Sequence, residues 1–201
     1  SSSCPRGTNP GRTYRFYTGK PVVPFGFGLS YTTFSYSNME ADVGASSPLV
    51  LDLSPLRQAL NETRAQGHTF IPVSLAEDLR AKAGWTVEPT NSEHVLAPKF
   101  QVNVTNTGSV DSDDVVLGFI TPPGAGQNGV ALKTLFGFQR VHVPAGQTVS
   151  VFLYPALTDF ARADAHGVLR AIPGDYSLAF GVEETLAAGG GFIKVGTVRA
   201  V

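Results

Sequence analysis

From residue 99 onward, apolar positions recur every second residue. Phe100, Val102 and Val104 alternate with polar neighbours before Asn106-Thr107-Gly108-Ser109, a turn sequence. Residues 115–121, Val-Val-Leu-Gly-Phe-Ile-Thr, resume as a buried strand, and a strand over 132–138 follows a Pro- and Gly-rich loop. Val141-His142-Val143 runs into the turn Pro144-Ala145-Gly146, after which Val149, Val151 and Leu153 alternate again. Ala171-Ile172-Pro173-Gly174-Asp175 reads as a turn ahead of a strand over 176–182. Three glycines at 189–191 precede a last strand over 192–198. Short strands at regular spacing with such turns predict a mainly β chain, a β-sandwich of the immunoglobulin-like class.

Upstream the pattern changes twice. Residues 37–98 carry the helical signals and read as an insert. Ser54-Pro55 offers an N-cap with proline at the first helical position, then Leu56, Ala59 and Leu60 share a face until Gly67. Ser74-Leu75-Ala76-Glu77 is a capping box, with Leu75, Leu79 and Ala83 at helical spacing and Gly84 as the stop. Both short helices are expected to pack across an end of the β module. Residues 1–36 form a polar start and an aromatic strap. Within it Tyr14, Phe16, Tyr17, Phe25, Phe27, Leu29 and Tyr31 are interleaved with Pro21, Pro24, Gly19, Gly26 and Gly28. Those prolines and glycines rule out a regular helix or central strand across its middle. An extended ribbon so rich in rings must lie against something apolar, because each ring buries roughly 150–250 Å² when packed. The division is therefore 1–36, 37–98 and 99–201, with strap and insert packing onto the sandwich.

Composition narrows the setting. Hydrophobic residues make up 42% and the formal net charge is −1, which leaves no electrostatic footprint for nucleic acid or anionic lipid. No apolar run is long enough for a membrane-spanning helix, so no membrane insertion is expected. Charged residues are only 15%, against roughly 25% in ordinary soluble domains, so glycans, another domain or further copies are expected to cover the surface. Asn61-Glu62-Thr63 and Asn103-Val104-Thr105 are glycosylation sequons and favour a secreted, extracellular glycoprotein. Cys4, the one cysteine, is either a partner for an intermolecular disulfide or an idle thiol. A chain opening at Ser1 without Met is expected to be a processed or truncated product.

The strap resembles the segment by which family-three glycoside hydrolases pass from their second domain into a C-terminal fibronectin type III-like domain. The residues that carry it are Asn9-Pro10-Gly11-Arg12-Thr13-Tyr14-Arg15-Phe16-Tyr17-Thr18-Gly19 and Pro24-Phe25-Gly26-Phe27-Gly28-Leu29-Ser30-Tyr31-Thr32-Thr33-Phe34. Val104-Thr105-Asn106-Thr107-Gly108, residues 135–141 (Leu-Phe-Gly-Phe-Gln-Arg-Val) and Ile172-Pro173-Gly174-Asp175-Tyr176 are similar to words of that domain. The likeness is to the β-xylosidase and arabinofuranosidase branch, and it implies a fibronectin type III-like sandwich. Phe27 stands where the family usually has His or Tyr. The family's nucleophilic Asp lies in a Ser-Asp-Trp-like motif of a barrel, and its acid/base carboxylate on the next domain. The only tryptophan here, Trp85, follows Ala83-Gly84. No residue of this chain inherits a catalytic role, and no cofactor is implied.

Other constellations are weighed and set aside. Asp111, Asp113 and Asp114 are the densest acidic group, and turn chemistry explains them better than calcium binding or glycoside cleavage. Gly124-Ala125-Gly126-Gln127-Asn128-Gly129 matches a dinucleotide fingerprint without the helix that would hold the phosphates, so it reads as a loop. His68, His94, His142 and His166 lack metal-ligand spacing, and Gly28-Leu29-Ser30-Tyr31 lacks the second glycine of a nucleophile elbow. Tyr14, Phe16 and Tyr17 are candidates for a platform binding cell-wall or matrix carbohydrate. The strap rings themselves suggest docking on protein. The leading expectation is a non-catalytic structural module that assembles head to tail through its N-terminal arm, a homo-oligomer or polymer. The alternative is the C-terminal stabilising domain of an active xylosidase-type hydrolase, and a third reading is an accessory carbohydrate-binding module.

Overall fold

A computed structural model of the chain describes residues 11–38, 49–68, 100–153, 155–182 and 193–201. Two sheets face each other across one core. The smaller joins β1 (Phe34–Asn38), β3 (Gln101–Asn106) and β6 (Thr148–Phe152), with β3 between the other two. The larger has the order β2 (Leu49–Leu51), β10 (Ile193–Ala200), β9 (Gly174–Phe180), β4 (Ser112–Thr121) and β5 (Thr134–Val143). Every pairing in these two sheets is antiparallel except β2 with β10. A short hairpin, β7 (Ala161–Ala163) with β8 (Leu169–Ala171), follows a 3₁₀ turn at Leu157–Phe160. This is the expected β-sandwich.

The period of two sets which side chains meet between the sheets. Val102 and Val104 of β3, Val116 and Ile120 of β4, and Leu178 and Phe180 of β9 are all essentially fully buried. Tyr176, buried edge-on against Phe160 with ring centroids 4.8 Å apart, donates its hydroxyl hydrogen to the carbonyl of Ile172 at 2.8 Å. A tyrosine at a strand start bonding back four residues is the corner that pins one end of immunoglobulin-type sandwiches. Burial pushes its phenol up to about 12.

The 37–98 insert contributes to the same core. α2 (Ser54–Ala65) buries Leu56, Ala59, Leu60 and Thr63, the face its spacing predicts. Its start differs from the sequence expectation: Ser54 already lies inside the helix, and Asp52 Oδ1 accepts the Ser54 N–H at 2.8 Å. The stop at Gly67 is as expected, with φ of +77° and a Schellman pair of bonds, Gly67 N–H to Arg64 O and His68 N–H to Thr63 O. β1 runs through the expected boundary at residue 36, and β2 of the insert lies beside β10, so strap and insert both supply strands to the sandwich. The second helix expected from Ser74 lies outside the described residues, as do Cys4, Trp85 and His94.

Candidate functional site

The strap crosses the outside of the larger sheet before it enters the smaller one as β1. Its described part opens with a one-turn helix, α1 (Thr13–Phe16), where an extended ribbon was expected. The Arg15 carbonyl accepts the Leu132 N–H at 2.6 Å, and the Tyr14 hydroxyl accepts the Leu135 N–H at 3.1 Å. These two bonds fix the strap to the segment entering β5. Tyr14 stacks on Phe25 with centroids 4.2 Å apart, and both rings meet Phe119 edge-on at 5.8 and 6.2 Å. Lys133 places its ammonium 4.8 Å from the Phe119 ring centroid. Phe119 is 2% exposed, although it points to the outer face of its sheet.

That burial follows from β4 itself. Val116 and Ile120 face the core, whereas Leu117 and Phe119 face out, so an apolar strand is covered on both sides. The cover on the outer side is the strap. At Gly26, with φ of +85°, an added Cβ would lie 2.2 Å from Leu117 Cδ1, so the backbone rests directly on that side chain. Further along, Ser30 Oγ is 3.3 Å from Ser112 Oγ. The strap thus passes from Phe119 past Leu117 to Ser112, against the direction of β4, rounds the end of the sandwich and enters the other sheet as β1.

At that corner Asn106 is wholly buried. Its Oδ1 accepts from Thr32 Oγ1 at 2.6 Å and from Gly108 N–H at 3.1 Å, while Nδ2 donates to the carbonyls of Val110 and Val143. All four hydrogen-bonding positions of the amide are used. Next to it Thr107 N–H donates to Thr33 O at 2.8 Å. Tyr36 on β1 donates to Asp114 Oδ2, and burial, with Asp114 adding to it, raises its phenol well above the ordinary value.

The seven strap residues therefore divide. Tyr14 and Phe25 pack on Phe119, and Phe25 keeps 46% of its surface exposed. Phe16 sits beneath the Arg15 guanidinium at 5.4 Å, and Tyr17 folds over Gly19. Phe27 is 42% exposed, Leu29 94% and Tyr31 97%. Of the three rings named for a sugar platform, Tyr14 is bonded to the sandwich through its hydroxyl and stacked on Phe25.

The remaining candidates disperse. Asp111 accepts the Ala145 N–H, Asp113 bonds Arg140 and His142, and Asp114 holds Tyr36 and its neighbour's N–H. The His142 contact first, then Arg140, holds the Asp113 carboxyl below the usual carboxylate range. The acidic group therefore ties strands together, whereas bonding to local turn backbone was expected. Residues 124–129 form a loop of consecutive tight turns. Asn61 is exposed on α2, and Asn103, half-buried on β3, accepts from Ser150 Oγ at 2.9 Å. His68 and His166 flank a cavity of about 150 Å³ between α2 and β8. Among the described residues, no group of three or more His, Cys, Asp or Glu could hold a metal ion. No described helix is long and apolar enough to cross a membrane.

Comparison with known proteins agrees with this geometry. The chain is 37% identical over 179 residues to a probable exo-1,4-beta-xylosidase of Aspergillus clavatus, a match covering 89% of the chain and 19% of the relative. It is 35% identical over 178 residues to beta-D-xylosidase 1 of Arabidopsis thaliana, covering 87% of the chain and 20% of the relative. A solved GH3 exo-beta-xylosidase superposes with a TM-score of 0.54 at 26% identity, over 95% of this chain and 21% of that one. The chain belongs to the family-three glycoside hydrolases, as a C-terminal region. It spans about a fifth of the length of the family-three relatives it matches. No family model matches it. A beta-glucosidase from Erythrobacter marinus shares the fold, with a TM-score of 0.53 at 23% identity.

Sequence reasoning named the strap but missed what it lies on. Leu117, Phe119 and Thr32 were not singled out. The run Val115-Val116-Leu117-Gly118-Phe119-Ile120 carries the signal, since a strand apolar at both odd and even positions needs cover on both faces.

Proposed function

We propose that this chain is the non-catalytic C-terminal stabilising domain of a secreted xylosidase-type hydrolase, docked on the rest of the enzyme through its strap. The observation that carries the reading is the match to about a fifth of each xylosidase, together with a strap that is anchored on one side and open on the other. Tyr14, Phe25 and Asn106 fasten the strap to the sandwich, leaving Leu29 and Tyr31 free to meet a neighbouring domain. A domain of this kind acts by adding buried area and rigidity to the part that performs the chemistry. It supplies no nucleophile and no general acid. The sequons at Asn61 and Asn103 support a secreted address.

The test is an exchange. This chain replaces the matched region of the Aspergillus clavatus enzyme, and the hybrid is assayed on an aryl β-xyloside. A folded hybrid that hydrolyses the substrate, while the 201-residue chain alone does not, is the expected result. A hybrid that does not fold, or turnover by the chain alone, overturns the reading. Head-to-tail assembly is the second reading, favoured by the exposure of Leu29 and Tyr31. It requires rods or rings whose abundance grows with the concentration of the isolated chain.

A further inference from the structure

We infer that Asn103 carries an N-linked glycan on Nδ2, and that this glycan lies across the outer face of the smaller sheet. The inference stands independently of the docked-domain reading, because it requires only passage through a glycosylating secretory pathway.

Register places Asn103 at the centre of that face. β3 is the middle strand, and its Val102, Val104 and Asn106 are fully buried, so Gln101, Asn103 and Thr105 point outward. Asn103 lies opposite Ser37 of β1 on one side and Ser150 of β6 on the other. The next row is Ser35, Thr105 and Thr148. The Asn103 amide is held by its oxygen, because Ser150 Oγ donates to Oδ1 at 2.9 Å and Gln101 Nε2 donates to it at 3.4 Å. Nδ2, the atom that glycosylation modifies, donates to no group among the described residues. Two donors on Oδ1 turn Nδ2 away from both, and the serines on either side are too short to cover it. Thr105 completes the sequon, and on the same face its hydroxyl is bonded to Thr148 Oγ1 at 2.8 Å.

The bond that forms joins Nδ2 to C1 of an N-acetylglucosamine. The bond that breaks joins that C1 to the diphosphate of a lipid-linked oligosaccharide, which leaves as the lipid diphosphate with the electron pair. Nδ2 releases one of its two hydrogens as a proton. Oδ1 is untouched, so the folded strand accepts the sugar and keeps both of the bonds that orient the amide.

The chemistry of the face points to the same occupant. The two central rows hold only serine, threonine and asparagine, with no charge among them. Gln101 and Phe152 lie opposite each other in the row that follows, and Phe152 is 40% exposed. A protein interface has an apolar centre and a polar rim, and here the order is reversed. Hydroxyls and amides hydrogen-bond a neutral sugar, and an aromatic ring packs against the C–H face of a pyranose. The outer face of the larger sheet differs, since Asp113, Arg140 and His142 carry charge across it.

The test uses the 201-residue chain secreted from a eukaryotic host and carrying Asn61→Gln, which leaves Asn103 as the one sequon in the sequence. Enzymatic release of N-glycans in heavy-oxygen water, followed by peptide mapping, is expected to find Asn103 converted to labelled aspartate. An unlabelled Asn103 overturns the inference. Placement of the glycan is read by hydroxyl-radical footprinting. Phe152 is expected to oxidise at least about twofold faster after Asn103→Gln, through loss of a bulky surface cover. Phe138, 67% exposed on the larger sheet, should react equally in both. Equal reactivity of Phe152 removes the glycan from this face and overturns the inference. Thr105→Ala, which abolishes the sequon at a different residue, is expected to speed Phe152 as Asn103→Gln does, whereas Thr105→Ser keeps the sequon and should leave it slow. Faster oxidation in Thr105→Ser as well would trace the change to the strand and overturn the inference.

Discussion

Thr32 donates its hydroxyl hydrogen to Asn106 Oδ1 at 2.6 Å, and through this bond the strap is tied to the most deeply buried polar side chain described in the chain. Asn106 joins the strap, the turn after β3 and the end of β5 through one amide. Replacing it by Ala strands two carbonyls, an N–H and a hydroxyl at a buried corner. Asn106→Ala is expected to lower stability by about 2–4 kcal/mol, and Thr32→Val by about 1 kcal/mol, in urea unfolding of the 201-residue chain. A loss below half of the first figure would show that the corner is held by other contacts.

The second anchor is apolar. Phe119 meets Tyr14, Phe25 and Lys133 and is 2% exposed, so truncation removes the floor on which the strap rests. Phe119→Ala should cost about 3–5 kcal/mol. It should also release the strap, visible as faster proteolysis after Arg12 and Arg15 in the folded protein. Cleavage there at the wild-type rate would mean that Phe119 does not hold the strap in place.

Much of this was legible in the sequence. The period-two alternation from Phe100 gave the sandwich, and Leu56, Ala59 and Leu60 gave the buried face of α2. Less legible were β1, where Phe34 and Tyr36 alternate with serines over only five residues, and β2, three residues long. Strands that short acquire their identity from the neighbour they pair with, and pairing is a property of the fold. The fate of the strap rings was hidden for the same reason. Tyr14 and Leu29 look equally apolar along the chain, and only the position of Phe119 separates the anchored ring from the open side chain.

A local prediction concerns Gly67. Its φ is +77° and an added Cβ would meet nothing within 4 Å, so the cost of a side chain is purely conformational. Gly67→Ala should destabilise by about 1 kcal/mol. Urea unfolding checks this. A neutral result would mean that the end of α2 relaxes at no cost.

Acid sensitivity has a defined sign. Arg170, with the Val168 and His166 N–H groups, holds the Asp164 carboxyl down to about 2. A group depressed in the folded state contributes stability above its unfolded value near 4, and that contribution is lost as pH falls through about 2. Asp113 and Asp175 are shifted in the same direction by His142 and Arg140, and by Arg199. The melting temperature is expected to fall between pH 4 and pH 2, and more shallowly in Asp164→Asn. Parallel curves for the two proteins would remove Asp164 from the acid limb.

A stabilising domain belongs to a longer natural polypeptide, and the size of that polypeptide is the most direct test. An antibody raised against the 21.2 kDa chain should capture, from its source, a polypeptide about five times as long, as the 19% share of the Aspergillus clavatus relative implies, and that polypeptide should cleave an aryl β-xyloside. Capture of a free 21.2 kDa chain alone, with no hydrolase attached, would contradict the account.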